Sequence, residues 1–282
     1  METQQAVSEL IVSELLNLRK SVPVLGLCLL WCVESLRPAV TLRPGRVRHA
    51  IRNLMLTLLN AVVLSLTFGT LTIYVASETV DHQRGALFLV STNLPVRMLA
   101  GVVLLDLWTW GWHHCNHRVS WLWRFHRVHH SDDAMDVTTA ARFHLGELVL
   151  SSLVKLPWIA ALGIDPVTLF IHETLLVAVS QFHHAAISLG SVDQILQWFL
   201  VTPDMHRIHH SREPVETNSN YASILSIWDR LLGTYRSTLR NPDQPTGLNE
   251  FTAPEFQTLS GMLRTPWVSM DSGDRSFENS DS

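Results

Sequence analysis

Cysteine is scarce in this chain, with three residues among 282. Two of them, Cys28 and Cys32, stand four apart inside an apolar run, where a bridge along one helix is not expected, so free thiols are. So few thiols beside 15 histidines exclude an iron–sulfur cluster. A strong charge of either sign is also missing. The formal charge of −4 is too small to imply a strongly charged partner, and the basic residues gather on no periodic face, which excludes a nucleic-acid role. No short apolar segment follows a basic start and precedes a small-residue cleavage site, so internal spans are expected to drive insertion. Lysine is nearly absent beside many arginines, which points to a bacterium with a GC-rich genome, and so to a bacterial inner membrane rather than the endoplasmic reticulum.

What the chain has is hydrophobic length. The 47% hydrophobic fraction is concentrated in runs that carry few charges, the pattern of an integral membrane protein. Residues 1–21 place Leu10, Ile11, Leu15, Leu16 and Leu18 at roughly helical spacing and read as an amphipathic segment. Residues 22–105 read as transmembrane helices: a short first run at 22–33, an uncharged run over 53–76 that exceeds the ~20 residues a bilayer requires, and a third at 86–105 interrupted by Pro95 and Arg97. Two further runs, 148–163 and 167–180, are joined by Ile164-Asp165-Pro166 and predict a hairpin that dips into the membrane and returns. The expected fold is all-α and multi-pass, with about four membrane helices and a His-rich helical cap. Residues 36–52 hold five arginines and no acid, which orients that loop, and with it the cap, to the cytoplasm. Residues 241–282 read as a polar cytosolic tail, partly disordered.

Thirteen of the fifteen histidines fall between His113 and His210. A neutral imidazole carries a free lone pair at physiological pH, which makes it the commonest protein metal ligand. His113 and His117 are one helical turn apart and share a face. In His126-Arg127-Val128-His129-His130 the first two histidines fall on one face, with the third turned by about 100° toward a second ion. His206-Arg207-Ile208-His209-His210 repeats the pattern. Two ions with about four imidazoles each close the arrangement most simply. A lone pair four apart arises by chance, but two such clusters and a pair on one membrane face do not read as surface solvation or a pH switch. His184 is the best additional ligand. His144 is a further candidate, and His172 is weaker because a single His beside an apolar run is more often a core residue. Asp106, Glu147 and Asp229 are candidates to orient ligand rings, with helix capping or an arginine partner as the competing role. Zinc and iron both accept imidazole, so these residues leave the metal open.

At these residues the chain resembles the fatty acid hydroxylase superfamily, which includes sterol desaturases, sterol methyl oxidases, lipid hydroxylases and carotenoid hydroxylases. Asp106 with Trp112-His113 and His117 resembles its first box. The run from Leu122 through His126-Arg127-Val128-His129-His130-Ser131 resembles the second. Arg142, His144 and Glu147 are similar to the segment that follows, and His184 falls where the family has an isolated histidine. The run Thr202-Pro203-Asp204-Met205-His206-Arg207-Ile208-His209-His210-Ser211, with Asn220-Tyr221 and Trp228-Asp229-Arg230, resembles the C-terminal signature. These elements place a di-iron domain at residues 106–240.

The resemblance implies a membrane oxygenase with two iron ions and O2 as co-substrate, hydroxylating or desaturating a lipid such as a sterol or fatty acyl chain. It implies no catalytic residue beyond the metal centre. The sequence contains no His-Pro-Gly-Gly haem-binding stretch, so the electron donor is expected to be a separate cytochrome b5, ferredoxin or reductase. His114 stands where the family usually has Arg, and Ala186 where Asn is common. Two other classes compete: a membrane dinuclear zinc hydrolase, which needs no electrons, and a metal transporter or sensor, which wants ionisable groups within its spans.

Overall fold

The computed structural model describes residues 21–91, 93–237 and 244–269. Residues 1–20, most of the amphipathic segment expected at 1–21, lie outside this range. Among the described residues the chain is helical, without a strand.

Helix α1 (Ser21–Leu36) is apolar but short, about 24 Å at 1.5 Å per residue against a hydrocarbon core of about 30 Å. Helix α2 (Arg46–Leu64) runs through a π-helical turn at Ser65–Gly69 into α3 (Thr70–Asp81). Together they are about 54 Å long, more than one crossing uses. On α2, Asn53, Thr57 and Asn60 are spaced on one helical face. Asn53 donates to Thr138 Oγ1 (3.0 Å), Thr57 to the Ala141 carbonyl (3.0 Å) and Asn60 to the Phe143 carbonyl (2.7 Å). The first turns of the uncharged run therefore grip the cap.

After α4 (Ala86–Val90), helix α5 spans Leu94–Arg118. The third span thus begins later than residue 86. Pro95 sits in its first turn, where its missing N–H is harmless, and Asn93 caps the Val96 amide. Arg97 rests over the Phe88 ring, 4.4 Å from its centroid. At 25 residues α5 is long enough to cross a membrane and project beyond it, so the first two histidines ride on the end of a candidate membrane helix. Helix α6 (Ser120–His130) follows directly. A 3-10 turn at Val137–Ala141 leads to α7 (Leu145–Leu162) and, after a tight turn, α8 (Pro166–His184). Three segments are long and apolar enough to cross a membrane: Arg46–Val90, Leu94–Arg118 and Leu145–Leu162.

The α7–α8 turn is pinned by two glycines. Gly163 has φ 76°, and a Cβ there would stand 2.4 Å from the Arg84 carbonyl oxygen; one on Gly85 would stand 2.2 Å from the Gly163 amide nitrogen. Only backbone-to-backbone approach fits. Ala76, Leu87, Leu105, Ile159, Ile164 and Leu169 form the buried core near this end.

At the other end, short helices α9 (Ser191–Leu196), α10 (Pro203–His209), α11 (Pro214–Thr217) and α12 (Ile227–Leu231) complete the cap. Residues 244–268, expected to be part of a solvated tail, instead fold back. Met262, on α13 (Leu259–Arg264), packs with Leu56 and Val128, and Phe251 and Leu248 pack on Trp123. The Arg127 guanidinium donates to the Thr265 and Val268 carbonyls. The scattered apolar residues that looked incidental in sequence are the contacts that hold this segment down. The disorder expected near residues 271–282 falls outside the described range.

Candidate metal centre

The histidines converge in two groups. His113 and His117 of α5, His126 and His130 of α6, and His209 of α10 form the first. His129, His184, His206 and His210 form the second, and within each group the candidate ligand atoms lie within 4.8 Å of one another. The division differs from the sequence expectation. His126 keeps company with His130, not His129, and His206 with His210, not His209. Positions i and i+4 differ by about 40° around a helix, whereas i and i+3 differ by about 60°, so the tighter pair shares a group and the middle histidine crosses to the other. α6 and α10 make this exchange in mirror fashion, which yields five rings and four.

Nitrogen–nitrogen distances are short. His209 Nε2 is 3.0 Å from His113 Nε2, His184 Nε2 is 3.2 Å from His129 Nε2, and His206 Nε2 is 3.0 Å from His184 Nε2. Metal–imidazole bonds of about 2.0–2.1 Å place neighbouring ligand nitrogens about 3.0–3.4 Å apart. His126 Nε2, His130 Nε2 and both nitrogens of His210 are buried without a hydrogen-bond partner. Such atoms are costly to leave unsatisfied, and a cation in each group would satisfy one nitrogen of each ring. The donor set thus fits two metal ions.

Burial also sets the charge state. It holds the imidazoles of His129, His130, His206 and His210 well below their usual pKa, and that of His209 at about 3, so these rings are neutral and their lone pairs available.

The remaining ring nitrogens fix orientation. His113 Nδ1 donates to the Tyr221 carbonyl, His209 Nδ1 to the Ser219 carbonyl and His184 Nδ1 to the Ser180 carbonyl, each at 2.7 Å. His126 Nδ1 donates to Glu147 Oε1 at 2.9 Å, and the same oxygen accepts from Asn116. Each bond selects the tautomer that turns Nε2 inward.

Asp106 and Asp229 touch no ligand ring. Asp229 accepts from the Tyr221 and Ala222 amides (2.8 and 2.9 Å), Trp110 Nε1 (3.0 Å) and Thr234 Oγ1 (2.7 Å). It holds the loop whose carbonyl orients His113. Asp106 accepts from the Leu225 amide and Trp228 Nε1, which ties α12 to α5. Arg142 does not pair with Glu147; it donates to the Val128 carbonyl, Ser131 and Asn53. His144 belongs to neither group: its Nδ1 accepts from the Gly146 amide and caps α7, with its ring beside Phe125 and Trp267. His114 stacks on Trp110, 5.2 Å between centroids. His172 is buried within α8, apart from both groups. His183, not among the expected ligands, has its ring centroid 3.9 Å from that of His206. Its only signal was the doublet with His184.

The fold and the site together describe an all-helical chain with three segments apolar and long enough to cross a membrane and two histidine groups whose geometry fits metal ions. Comparison with known proteins gives this class its family. Residues 98–234, which carry every histidine of both groups, match the family model described as fatty acid hydroxylase, and this segment belongs to that superfamily. The chain is 33% identical over 133 residues to an alkylglycerol monooxygenase of Xenopus tropicalis, covering 46% of this chain and 28% of that protein. It is 32% identical over 162 residues to ornithine lipid hydroxylase OlsE of Rhizobium tropici, covering 57% and 48%. Against a cholesterol 25-hydroxylase of Mus musculus it is 28% identical over 144 residues, covering 50% and 47%. The chain thus spans half or less of the length of these relatives. No solved structure matches it.

Proposed function

We propose that this chain is a membrane lipid oxygenase whose two imidazole groups each hold one iron ion. The reading rests on one observation: nine histidines from four helices converge into two sets of buried, closely spaced nitrogens at the end of an apolar helical bundle. The ligands assigned to the first ion are His113, His117, His126, His130 and His209, and to the second His129, His184, His206 and His210. Bound iron supplies the activation of O2 and the oxidising power to take hydrogen from an unactivated C–H bond. The protein's own contribution is positioning. Glu147 keeps the proton of His126 on Nδ1, the Tyr221 and Ser219 carbonyls do the same for His113 and His209, and burial keeps water from competing for the nitrogens.

The substrate is proposed to be a lipid. The relatives are named for alkylglycerol, ornithine lipid and cholesterol, molecules that join a polar end to a long apolar portion, and their names favour hydroxylation over desaturation. A centre at the end of membrane helices is reachable from within the bilayer. Electrons come from a separate donor of the cytochrome b5, ferredoxin or reductase kind. We place the centre on the cytoplasmic side, because the arginine-rich loop before α2 lies against the loop that follows His130, and the membrane as a bacterial inner membrane.

The test is to express the full chain in membranes with an electron donor, measure bound metal, and trace labelled O2 into lipid products. Iron with label in a product hydroxyl is expected. Zinc with turnover independent of O2 would overturn the reading.

A further inference from the structure

A cleft of about 670 Å³ opens between the α1–α2 loop, the start of α2, the loop after α6 and residues 244–246. Arg43, Arg46, Arg48, Arg52 and Arg207 line it, with Asp133 and Asp136. Both acids are already engaged, Asp133 by Arg43 at 2.6 Å and Asp136 by Arg46 at 3.4 Å. Arg52 donates to the Gln257 carbonyl, which leaves its charge uncompensated. Arg48 makes no hydrogen bond or ion pair with any described residue. α2 opens at this cleft on Gly45 without a side-chain cap, so the positive end of its dipole adds to the field.

Depth and size narrow the ligand. Leu36 and Val47, at the ends of α1 and α2 nearest the cleft, are 81% and 65% exposed and begin the outward apolar band of those helices. The cleft therefore sits where hydrocarbon gives way to water, the level of lipid phosphates. Its volume suits a headgroup rather than the face of a protein. Arginine pairs of this kind match phosphate oxygens in forked geometry, and basic residues at this depth attract anionic lipid. We propose that the cleft binds a phosphate ester, presented by the headgroup of an anionic phospholipid.

The experiment is calorimetric titration of the full-length protein in detergent with short-chain phosphatidylglycerol, short-chain phosphatidylcholine and glycerol 3-phosphate. Phosphatidylglycerol is expected to bind, with affinity lowered about ten- to a hundredfold by Arg48→Gln combined with Arg52→Gln. Arg84→Gln, beside Gly163 at the far end of the bundle, should leave it unchanged. Glycerol 3-phosphate binding with the same dependence on Arg48 and Arg52 would keep the phosphate chemistry and assign a soluble source. The proposal is overturned if no phosphate ester binds, if phosphatidylcholine binds as well as phosphatidylglycerol, or if the double variant binds as wild type. It is overturned too if an acidic redox protein occupies the cleft and phosphatidylglycerol fails to displace it. Should the double variant unfold, Arg48→Gln alone, at an exposed side chain without partners, gives the same readout.

Discussion

In the first imidazole group three of five rings have their outer nitrogen bonded to a protein oxygen, through Tyr221, Glu147 and Ser219; in the second, one of four does, through Ser180. The second group is supported by ring contacts instead. His129 lies flat on Phe143, 4.3 Å between centroids and 10° from parallel, and His210 stacks at 4.4 Å on His130 of the first group, a contact the two groups share. Hydrogen bonds fix both the direction and the tautomer of a ring, whereas stacking fixes its plane and leaves the proton free to choose. The first group is thus the more preorganised, and the second the more adaptable to what binds beside it.

The contrast can be broken most directly by deleting one ring from each group. His113→Ala and His184→Ala should each lose one of two bound ions, read as metal per protein; loss of both ions from either variant would show that the groups are one unit. Glu147→Gln should weaken metal at the first group about 10- to 100-fold and leave the second unchanged in a metal titration. Equal weakening at both sites would remove the distinction. Asp229→Asn replaces an acceptor of two backbone amides by a side chain that also donates. It should lower stability by about 1–3 kcal/mol in denaturant unfolding and weaken the first group less than Glu147→Gln does. Acidification should act on both groups alike. The unfolded chain takes up protons near the ordinary histidine pKa of about 6.5, while burial holds His209 of the first group at about 3 and His206 of the second well below its usual value. Stability of the metal-free protein is therefore full above about pH 6.5 and falls as pH drops below it, and its unfolding midpoint should be lower at pH 5 than at pH 7.

Much of this centre was legible in the sequence because imidazoles are rare enough to count and helical spacing is regular. The boxes at His113 and His117, His126 to His130 and His206 to His210 all converge, and His184 joins them. The allotment of rings was not legible, since faces 40° and 60° apart differ too little until a partner helix fixes the rotation. His144 was indistinguishable from a ligand by type and place, yet a free amide at Gly146 claims its nitrogen. Asp106 and Asp229 act through the loops they hold, a relation that needs the chain to have folded before it exists. The polar stripe of Asn53, Thr57 and Asn60 was hidden by hydropathy, which averages over a helix and loses its faces.

The buried Arg142 carries a practical lesson for protein engineering. Its guanidinium bridges the Val128 carbonyl and Ser131 inside the family-matched segment to Asn53 before it and Gln257 after it. An excision at residues 98 and 234 would strip both outer partners from a fully buried cation and uncover Val128 and Trp123. The histidine-bearing stretch is not a portable cassette, and a transplant or minimal version of it has to carry α2 and the folded-back residues 244–268 along.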